Sequence, residues 1–325
     1  MTERTLRELA ADRGVDVGAA VDPNWLRDDP EYGETLGREF SMLTAENAHK
    51  WTEVHPEPHT YTFEDGDLIV SFAREHDMAV RGHTLCWHNQ VPEWVHDRVP
   101  LEAEEAEALL REHAHTVAGH YHDDVSAWDV VNEAVDDDGG FRETLWYDAL
   151  GERYLDVAFE AAADVAPDAD LFYNDYGIDD VNEKSDEVYE LLSDMIDRGV
   201  PVDGVGLQLH AIRDWPDPEG IGENVTRFRD LGLEVHVTEF DVLSEEGEGS
   251  PAALERQAEY YGAAVREAIE AGASAVVTWG VHDEQSWLHY RDWADEDAVR
   301  APLLFDDEYQ PKPAYDAVAE ALSGE

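Results

Sequence analysis

The regular alternation of short apolar runs with longer amphipathic segments constrains the fold of this chain more than any other feature. The runs predict eight β-strands: Val15–Val21, Phe40–Ala45, Ala79–Trp87, Ser126–Glu133, Asp170–Asp175, Gly204–His210, Glu234–Val242 and Ala275–Val281. Helices are predicted between or after them, including Glu102–His120, Leu145–Val165, Glu183–Arg198, Pro251–Ala271 and Pro313–Leu322. This order predicts an α/β protein with one (β/α)8 barrel, a TIM barrel, over residues 1–325. A doubly wound sheet is the alternative, but no glycine-rich phosphate turn follows the first strand.

The charge of the chain is strongly negative. It contains 77 acidic and 22 basic residues, for a formal charge of −55 at pH 7. Nucleic acids and anionic membranes carry the same sign, so we expect neither as a partner. Such an excess repels itself within a compact state, and salt shortens the range of that repulsion. The sequence therefore predicts adaptation to high salt, with an acidic surface for a cationic partner as the alternative.

The cysteine content and the N-terminal sequence bear on where the protein works. Cys86 is the only cysteine, which excludes an intrachain disulfide, and it lies in an apolar run typical of a buried thiol. The first residues, MTERTLRELAADRG, form a charged amphipathic stretch with no apolar core of a signal peptide. We expect no signal peptide and no transmembrane span in this chain, and the surface charge favours a monomer.

Polar and aromatic side chains cluster at the ends of the predicted strands. In a (β/α)8 barrel these ends meet at the rim where active sites form. Carboxylates, amides, imidazoles and tryptophans together are typical of a carbohydrate site. The residues at or just after the strand ends are Glu46, Asn47, Lys50, His83, Trp87, Gln90, Asn132, Glu133, Asn174, Tyr176, Gln208, His210, Glu239, Asp241, Trp279 and Trp287.

Two of these carboxylates follow otherwise apolar runs on opposite sides of the predicted barrel. Glu133 follows WDVV after one intervening residue, Asn132, and Glu239 directly follows VHVT. Glycoside hydrolysis needs such a pair, since one carboxyl protonates the leaving oxygen while the other attacks the anomeric carbon or activates water. A separation of about 5–5.5 Å gives retention and about 6.5–9.5 Å gives inversion. The bland alternative is that each glutamate only caps the following helix.

A histidine is predicted to lie between two acids of the seventh strand. Glu239 and Asp241 are two residues apart, so they project from the same face. His210, from the sixth strand, could donate to Glu239 while Asp241 holds it. Hydrogen bonding to the charged form would keep Glu239 ionised. The alternative is a satisfied His–Asp pair of the core.

Together these motifs resemble those of glycoside hydrolase family 10, the (β/α)8 endo-β-1,4-xylanases, and the resemblance covers almost the whole chain. The most specific stretches are AENAHKW, RGHTLCWHNQVPEW, WDVVNEAV, YNDYGI, VHVTEFDV and TWGVHDEQSW. With its charge, the chain resembles a salt-adapted, haloarchaeal-like variant. The resemblance implies retaining, endo-acting hydrolysis of xylan and xylo-oligosaccharides without cofactor or metal, and polymeric xylan implies an extracellular site of action.

The resemblance also implies roles for individual residues. Glu133 would be the acid/base and Glu239 the nucleophile, with Gln208 and His210 positioning Glu239. Sugars on the glycone side would meet Asn132, His83, Glu46, Asn47, Lys50, Gln90, Trp87, Trp279 and Trp287. Tyr176 would offer a stacking surface on the aglycone side, supported by Asn174.

Three other interpretations remain open from the sequence. A metal-dependent barrel hydrolase would use several histidines, but HAHTVAGHYH, residues 113–122, falls in a predicted helix without a clean i, i+4 pair. A non-catalytic sugar-binding barrel would lack one carboxylate, and both are present here. Within the same reaction class, β-1,4-glucan or aryl β-glycosides are alternative substrates.

Overall fold

The computed structural model describes residues 4–212, 215–243, 249–290 and 300–324. The strands are β1 Asp16–Val21, β2 Met42–Ala45, β3 Ala79–Cys86, β4 Ala127–Asn132, β5 Asp170–Asp175, β6 Gly204–Leu207, β7 His210–Ala211, β8 Glu234–Val242 and β9 Ala275–Thr278. The helices are α1 Leu6–Arg13, α2 Pro23–Asp28, α3 Pro30–Glu39, α4 Trp51–Val54, α5 Glu64–Glu75, α6 Glu93–His96, α7 Ala103–His120, α8 Leu145–Leu150, α9 Arg153–Val165, α10 Glu183–Arg198, α11 Pro218–Asp230, α12 Pro251–Ala271 and α13 Pro313–Ser323. Short 3-10 helices span Asp283–Gln285 and Trp287–Tyr290.

The strands form a closed parallel barrel. Their order is β6-β5-β4-β3-β2-β1-β9-β8-β7, and an additional pairing of β6 with β8 closes the circle. The two-residue β7 continues the path of β6 and pairs with β8 at His210 and Asp241. The barrel therefore has eight positions, which confirms the predicted (β/α)8 fold.

The strands are apolar because a parallel barrel buries both of their faces. Every residue of β4 is buried, and so is all of β8 except its first residue, Glu234. The outer helices have one buried stripe and clear ends. In α10, Asn182 and Ser185 form a reciprocal N-terminal cap, and Gly199 ends the helix in the left-handed conformation.

Two predicted elements are interrupted in the structure. The predicted helix Leu145–Val165 is two helices, because Gly151 takes a positive φ of 60° at the break between α8 and α9. The predicted strand Gly204–His210 is split into β6 and β7 at Gln208 and Leu209, where Leu209 has a φ of 57°.

The other predicted elements agree more closely with the observed ones. The last predicted strand, Ala275–Val281, ends at Thr278, because the backbone turns at Gly280, whose φ is 139°. The predictions Asp170–Asp175, Glu234–Val242, Glu183–Arg198 and Pro251–Ala271 coincide with the observed elements. The remaining predicted strand ends are within two residues of the observed ones.

A buried ionic cluster fills part of the barrel interior. Arg81 of β3 is fully buried, and its Nε donates to Asp129 Oδ2 of β4 at 3.1 Å. Its Nη1 lies 2.8 Å from Nδ1 of His236 on β8, which is not a neighbour of β3 in the sheet. The contact therefore crosses the barrel. Gly206 leaves room beside the cluster, since a Cβ there would lie 3.1 Å from Arg81 Nη2 and 2.1 Å from Asn174 Oδ1.

Among the described residues, no helix is both long and apolar enough to cross a membrane.

Candidate active site

A cleft of about 1250 Å3 opens at the carboxyl ends of the strands. Fourteen of the sixteen residues predicted from the strand ends line it: Glu46, Asn47, Lys50, His83, Trp87, Gln90, Asn132, Glu133, Tyr176, Gln208, His210, Glu239, Trp279 and Trp287. Asn174 and Asp241 are fully buried and do not line the cleft. Each of them instead holds a residue that does.

Glu133 directly follows β4 and has a φ of 58°, in the left-handed region that non-glycine residues seldom adopt. Trp87 Nε1 donates to its Oε2 at 2.8 Å, and Gln208 Nε2 donates to its Oε1 at 3.2 Å. The adjacent Asn132 Nδ2 also donates to Oε1, at 3.2 Å. Strained backbone held by surrounding contacts is typical of functional sites, and here it directs the carboxylate into the cleft.

Glu239 lies within β8 and is 5% exposed. Asn174 Nδ2 donates to its Oε1 at 2.8 Å, and His210 Nε2 lies 3.2 Å from its Oε2. Burial alone would raise the pKa of this carboxyl. The His210 hydrogen bond and the electrostatic interactions with His83 and His210 outweigh burial, so the pKa of Glu239 is held below its ordinary value.

A chain of amide side chains joins the two carboxylates. Asn174 Nδ2, which donates to Glu239, also donates to Asn132 Oδ1 at 2.9 Å. Asn132 Nδ2 in turn reaches Glu133. Thr238 Oγ1 donates to Asn174 Oδ1 at 2.7 Å, which fixes the orientation of that amide. Each amide thus has a defined donor and acceptor direction, and the two carboxylates are held in one rigid frame.

His210 lies between Glu239 and Asp241, as the spacing of the TEFDV motif predicts. Its Nδ1 is 2.9 Å from Asp241 Oδ1, and Trp287 Nε1 donates to the other Asp241 oxygen at 2.7 Å. Burial lowers the pKa of His210, but hydrogen bonds and charges of Asp241 and Glu239 raise it to about 10. The imidazole is therefore a cation that donates to both carboxylates.

The residues after β2 form a second polar group in the cleft. Lys50 Nζ and Gln90 Nε2 both donate to Asn47 Oδ1, at 3.0 and 3.2 Å. Burial lowers the pKa of Lys50, against the pull of Glu239 and Glu46. Burial also raises the pKa of Glu46, although Gln285 donates to its Oε2 at 3.1 Å. Such desolvated groups suit recognition of hydroxyls.

Aromatic rings flank this polar group. Lys50 Nζ lies 5.0 Å from the ring centre of Trp87 and 5.8 Å from that of Trp279. The His83 ring stands edge-on to Trp279 at 5.3 Å. His83 Nδ1 is 2.9 Å from Asp129 Oδ2, so the buried Arg81–Asp129 pair sets its orientation.

Tyr176, just after β5, also lines the cleft. Its hydroxyl donates to Asp137 Oδ2 at 2.8 Å and accepts from Arg142 Nη2 at 3.0 Å. Lys184 Nζ lies 3.7 Å from the ring centre and 3.0 Å from the buried Asp175 Oδ1. The ring is therefore fixed by charge on several sides, and the Asp137 carboxylate, in the acidic loop after β4, has a structural role in holding it.

Several cleft residues were missed in the sequence. Gln285 is the most connected: it accepts from Tyr32 Oη at 3.1 Å and from Val281 N at 2.8 Å while donating to Glu46. It lies in a short 3-10 helix, where a glutamine gives no periodic signal. Other missed lining residues are Asp22, Trp25, His88, Asn89, Asp179, Asp180, Asn182, Trp215 and Tyr290.

The histidines of residues 113–122 do not form a metal site. His113 is fully buried in α7 and stacks on Trp51 with ring centres 3.7 Å apart. Within the described ranges, no group of three or more histidine, cysteine or acidic residues could hold a metal ion. The prediction of a metal-free site remains a prediction.

Comparison with known proteins gives the family of this fold and cleft. The sequence is 38% identical over 322 residues to endo-1,4-beta-xylanase B of Thermotoga neapolitana, covering 98% of this chain and 91% of that protein. It is 37% identical to an exoglucanase of Acetivibrio thermocellus, covering 94% of this chain and 28% of that protein. The structure matches xylanase 10B from Thermotoga petrophila in complex with xylobiose with a TM-score of 0.94, at 39% identity, covering 100% of this chain and 98% of that one.

The sequence profile of glycosyl hydrolase family 10 matches residues 5–321, nearly the whole chain. The match includes both strand-end glutamates and every element of the barrel from β1 to β9. This chain is a glycoside hydrolase that belongs to glycosyl hydrolase family 10.

Proposed function

We propose that this protein is an endo-acting β-1,4-xylanase that cleaves xylan and xylo-oligosaccharides with retention, using Glu133 as acid/base and Glu239 as nucleophile. The observation that carries the proposal is the difference between the two carboxylates within one frame. Glu239 touches the His210 cation, whereas Glu133 is held by the neutral donors Trp87 and Gln208. Such unlike surroundings are what an acid and a nucleophile require.

In the first step, the ionised Glu239 attacks the anomeric carbon while Glu133 gives its proton to the departing glycosidic oxygen. The C–O bond to the aglycone breaks as the Glu239 Oε–C1 bond forms. His210 and Asn174 hold Glu239 in place, so little reorganisation is needed when charge moves to the sugar.

In the second step, Glu133, now a carboxylate, takes a proton from water as the water oxygen attacks C1. The ester bond to Glu239 breaks, and the sugar leaves with its original anomeric configuration. Trp87 Nε1 and Gln208 Nε2 donate to Glu133 and stabilise the charge that it carries between the two steps.

The aromatic lining of the cleft suits a chain-like substrate. Tyr176 and Trp215 lie among its lining residues together with Trp25 and Tyr290, which are remote in sequence. Several aromatic rings along one cleft suit binding of several successive sugars. Hydrolysis of β-1,4-glucan or aryl β-glycosides is the second candidate activity. The similarity to the Acetivibrio exoglucanase supports this candidate.

The experiment that tests the proposal is digestion of xylohexaose, with cellohexaose as the matched control. Product sizes report whether internal bonds are cut. NMR of the anomer that forms first reports the stereochemistry. We expect β-anomeric xylobiose and xylotriose as early products. An initial α-anomer would contradict retention, and faster cleavage of cellohexaose would establish the glucanase alternative.

We further propose that the protein is the salt-adapted, haloarchaeal-like variant of its family, that it acts as a monomer, and that it works outside the cell. The formal charge of −55 supports the first two, because like charges oppose self-association and are screened by salt. The polymeric nature of xylan supports the third. We propose one catalytic barrel domain over residues 1–325, without cofactor, metal, nucleic-acid or membrane partner.

A further inference from the structure

One short turn touches both carboxylates of the site. In the segment between β6 and β7, Gln208 Nε2 donates to Glu133 Oε1 at 3.2 Å, and His210 Nε2 lies 3.2 Å from Glu239 Oε2. The backbone N–H of Glu239 also donates to the carbonyl of Gln208 at 3.0 Å. The conformation of the residue between them, Leu209, therefore sets the position of both side chains.

Leu209 has an unfavourable backbone conformation. Its φ is 57°, although it is a leucine and 1% exposed. A left-handed leucine persists only where its surroundings hold it. The group that holds it is Asp179, whose Oδ1 accepts the Leu209 backbone N–H at 2.7 Å. A carboxylate acceptor makes this bond charge-assisted and strong.

Asp179 is itself rigidly placed. It lies in the loop after β5, is 4% exposed, and lines the cleft. The carbonyl of the preceding Ile178 accepts from Asn224 Nδ2 of α11 at 2.7 Å, which ties the loop to the outer layer. The charges that face Asp179 are the His210 and Lys184 cations and the Asp180 anion. Burial raises the pKa of Asp179 to about 6, so the carboxylate is ionised at neutral pH.

We propose that Asp179 is a positioning residue for the reaction. Its hydrogen bond to the Leu209 amide fixes the turn that presents Gln208 to Glu133 and His210 to Glu239. This inference rests on the proposed function, since it assigns Asp179 a part in the same reaction. Asp179 follows Tyr176 by three residues, so the same short loop supports the aglycone side and the two carboxylates.

The chain offers a matched control for a purely structural carboxylate. Asp203 Oδ2 accepts the backbone N–H of Leu171 at 2.9 Å, near the start of β5 and thus at the opposite end of the barrel from the cleft. The bond has the same chemistry, and the residue has no contact with the site. Asp203→Ala should lower thermal stability and leave turnover unchanged.

The test measures kcat, KM and Tm for Asp179→Ala, Asp179→Asn and Asp203→Ala with 4-nitrophenyl β-xylobioside. We expect Asp179→Ala to lower kcat by about tenfold or more, since small displacements of catalytic groups cost that much, with little change in KM. Asp179→Asn should retain most of the turnover, because its amide oxygen still accepts from Leu209.

Three outcomes would overturn the proposal. The first is wild-type kcat in Asp179→Ala. The second is an equal loss of kcat in Asp203→Ala. The third is an Asp179→Asn variant that folds and is as slow as Asp179→Ala. If Asp179→Ala does not fold, Asp179→Glu takes its place, because its longer side chain must displace the Leu209 amide: a lower kcat with little change in KM would support the proposal, and wild-type kcat would overturn it. Failure of the wild-type protein to turn over any β-xyloside would instead contradict the proposed function.

Discussion

His210 and Glu239 share a hydrogen bond of 3.2 Å between Nε2 and Oε2, and Asp241 fixes the opposite ring nitrogen of the histidine at 2.9 Å. The hydrogen bond stabilises the charged forms of both His210 and Glu239. The pKa of His210 is raised to about 10, and that of Glu239 is lowered. A buried carboxylate is thereby kept ionised although burial alone would raise its pKa.

Loss of the His210 charge should move the acid limb of the pH profile. Glu239 must be ionised to attack, and its pKa is below the ordinary value because His210 compensates for burial. In His210→Gln the pKa of Glu239 rises, so activity is lost at a higher pH as the solution is acidified. We expect the acid limb of kcat/KM to move upward by about one pH unit.

The control for this shift is His122→Gln, since the His122 side chain is 51% exposed and does not line the cleft; it lies in the connection that leads into the start of β4. Its pH profile should match that of the wild type. An unmoved acid limb in His210→Gln would show that the histidine does not control ionisation of Glu239.

The two carboxylates should respond differently to removal. Glu239→Ala should lose turnover of every xyloside, because no other described group replaces the nucleophile at the Asn174 and His210 contacts. Glu133→Ala should still form the glycosyl-enzyme from substrates with a good leaving group, which need little protonation. Burst kinetics with 2,4-dinitrophenyl and 4-methoxyphenyl β-xylobiosides measure the difference. Equal losses on both substrates in Glu133→Ala would contradict its role as acid.

Salt should raise the thermal stability of the protein. Repulsion among surface acids reaches about 10 Å at 0.1 M salt and about 3 Å at 1 M. Calorimetry at pH 7 in 0.1 M and 1 M KCl should therefore show a higher Tm at the higher concentration. Glu239 and His210 expose only 6% and 13% of their side chains, so salt should screen this pair less than the surface acids, and the acid limb of kcat/KM should change less. An unchanged or lower Tm in 1 M KCl would contradict salt adaptation.

The positions of Glu133 and Glu239 could be predicted because the fold restricts where chemistry occurs. An acid that ends an apolar run is costly to bury, and in a barrel the strand ends converge on one rim. The same reasoning identified His210 from the spacing of Glu239 and Asp241. His210 and Asp241 pair between the adjacent strands β7 and β8, whereas Asn174 reaches Glu239 from β5, a strand that does not neighbour β8.

Other features depend on tertiary contacts and carry no local signal. Gln285 orients Glu46 from a short 3-10 helix, and the sequence around it resembles any polar loop. The positive φ of Leu209 is imposed by Asp179, thirty residues earlier in the chain. Gly151 interrupts a helical pattern that is continuous in composition. A pattern reports the average environment of a segment, whereas these three features each depend on one contact or one backbone angle.

Buried neutral histidines should make the protein sensitive to acid. His49 is fully buried against the rings of Tyr121 and Trp128, and neither of its ring nitrogens has a hydrogen-bond partner among the described residues. Burial lowers its pKa to about 3, against about 6.5 in an unfolded chain. The unfolded state therefore binds a proton first as the pH falls. The resulting loss of stability begins near pH 6.5 and approaches about 1.4 kcal/mol per pH unit until the folded pKa is reached.

His49→Met removes this titration and fills the same buried position with an apolar side chain of similar length. Urea unfolding at pH 7 and pH 5, at constant salt, should show a free energy of unfolding that falls less in His49→Met than in the wild type, by up to about 2 kcal/mol. His122→Gln should retain the wild-type pH dependence, because that side chain is half exposed to solvent in the folded protein. Parallel pH dependences in the wild type and His49→Met would show that His49 is protonated, or partnered, in the folded protein.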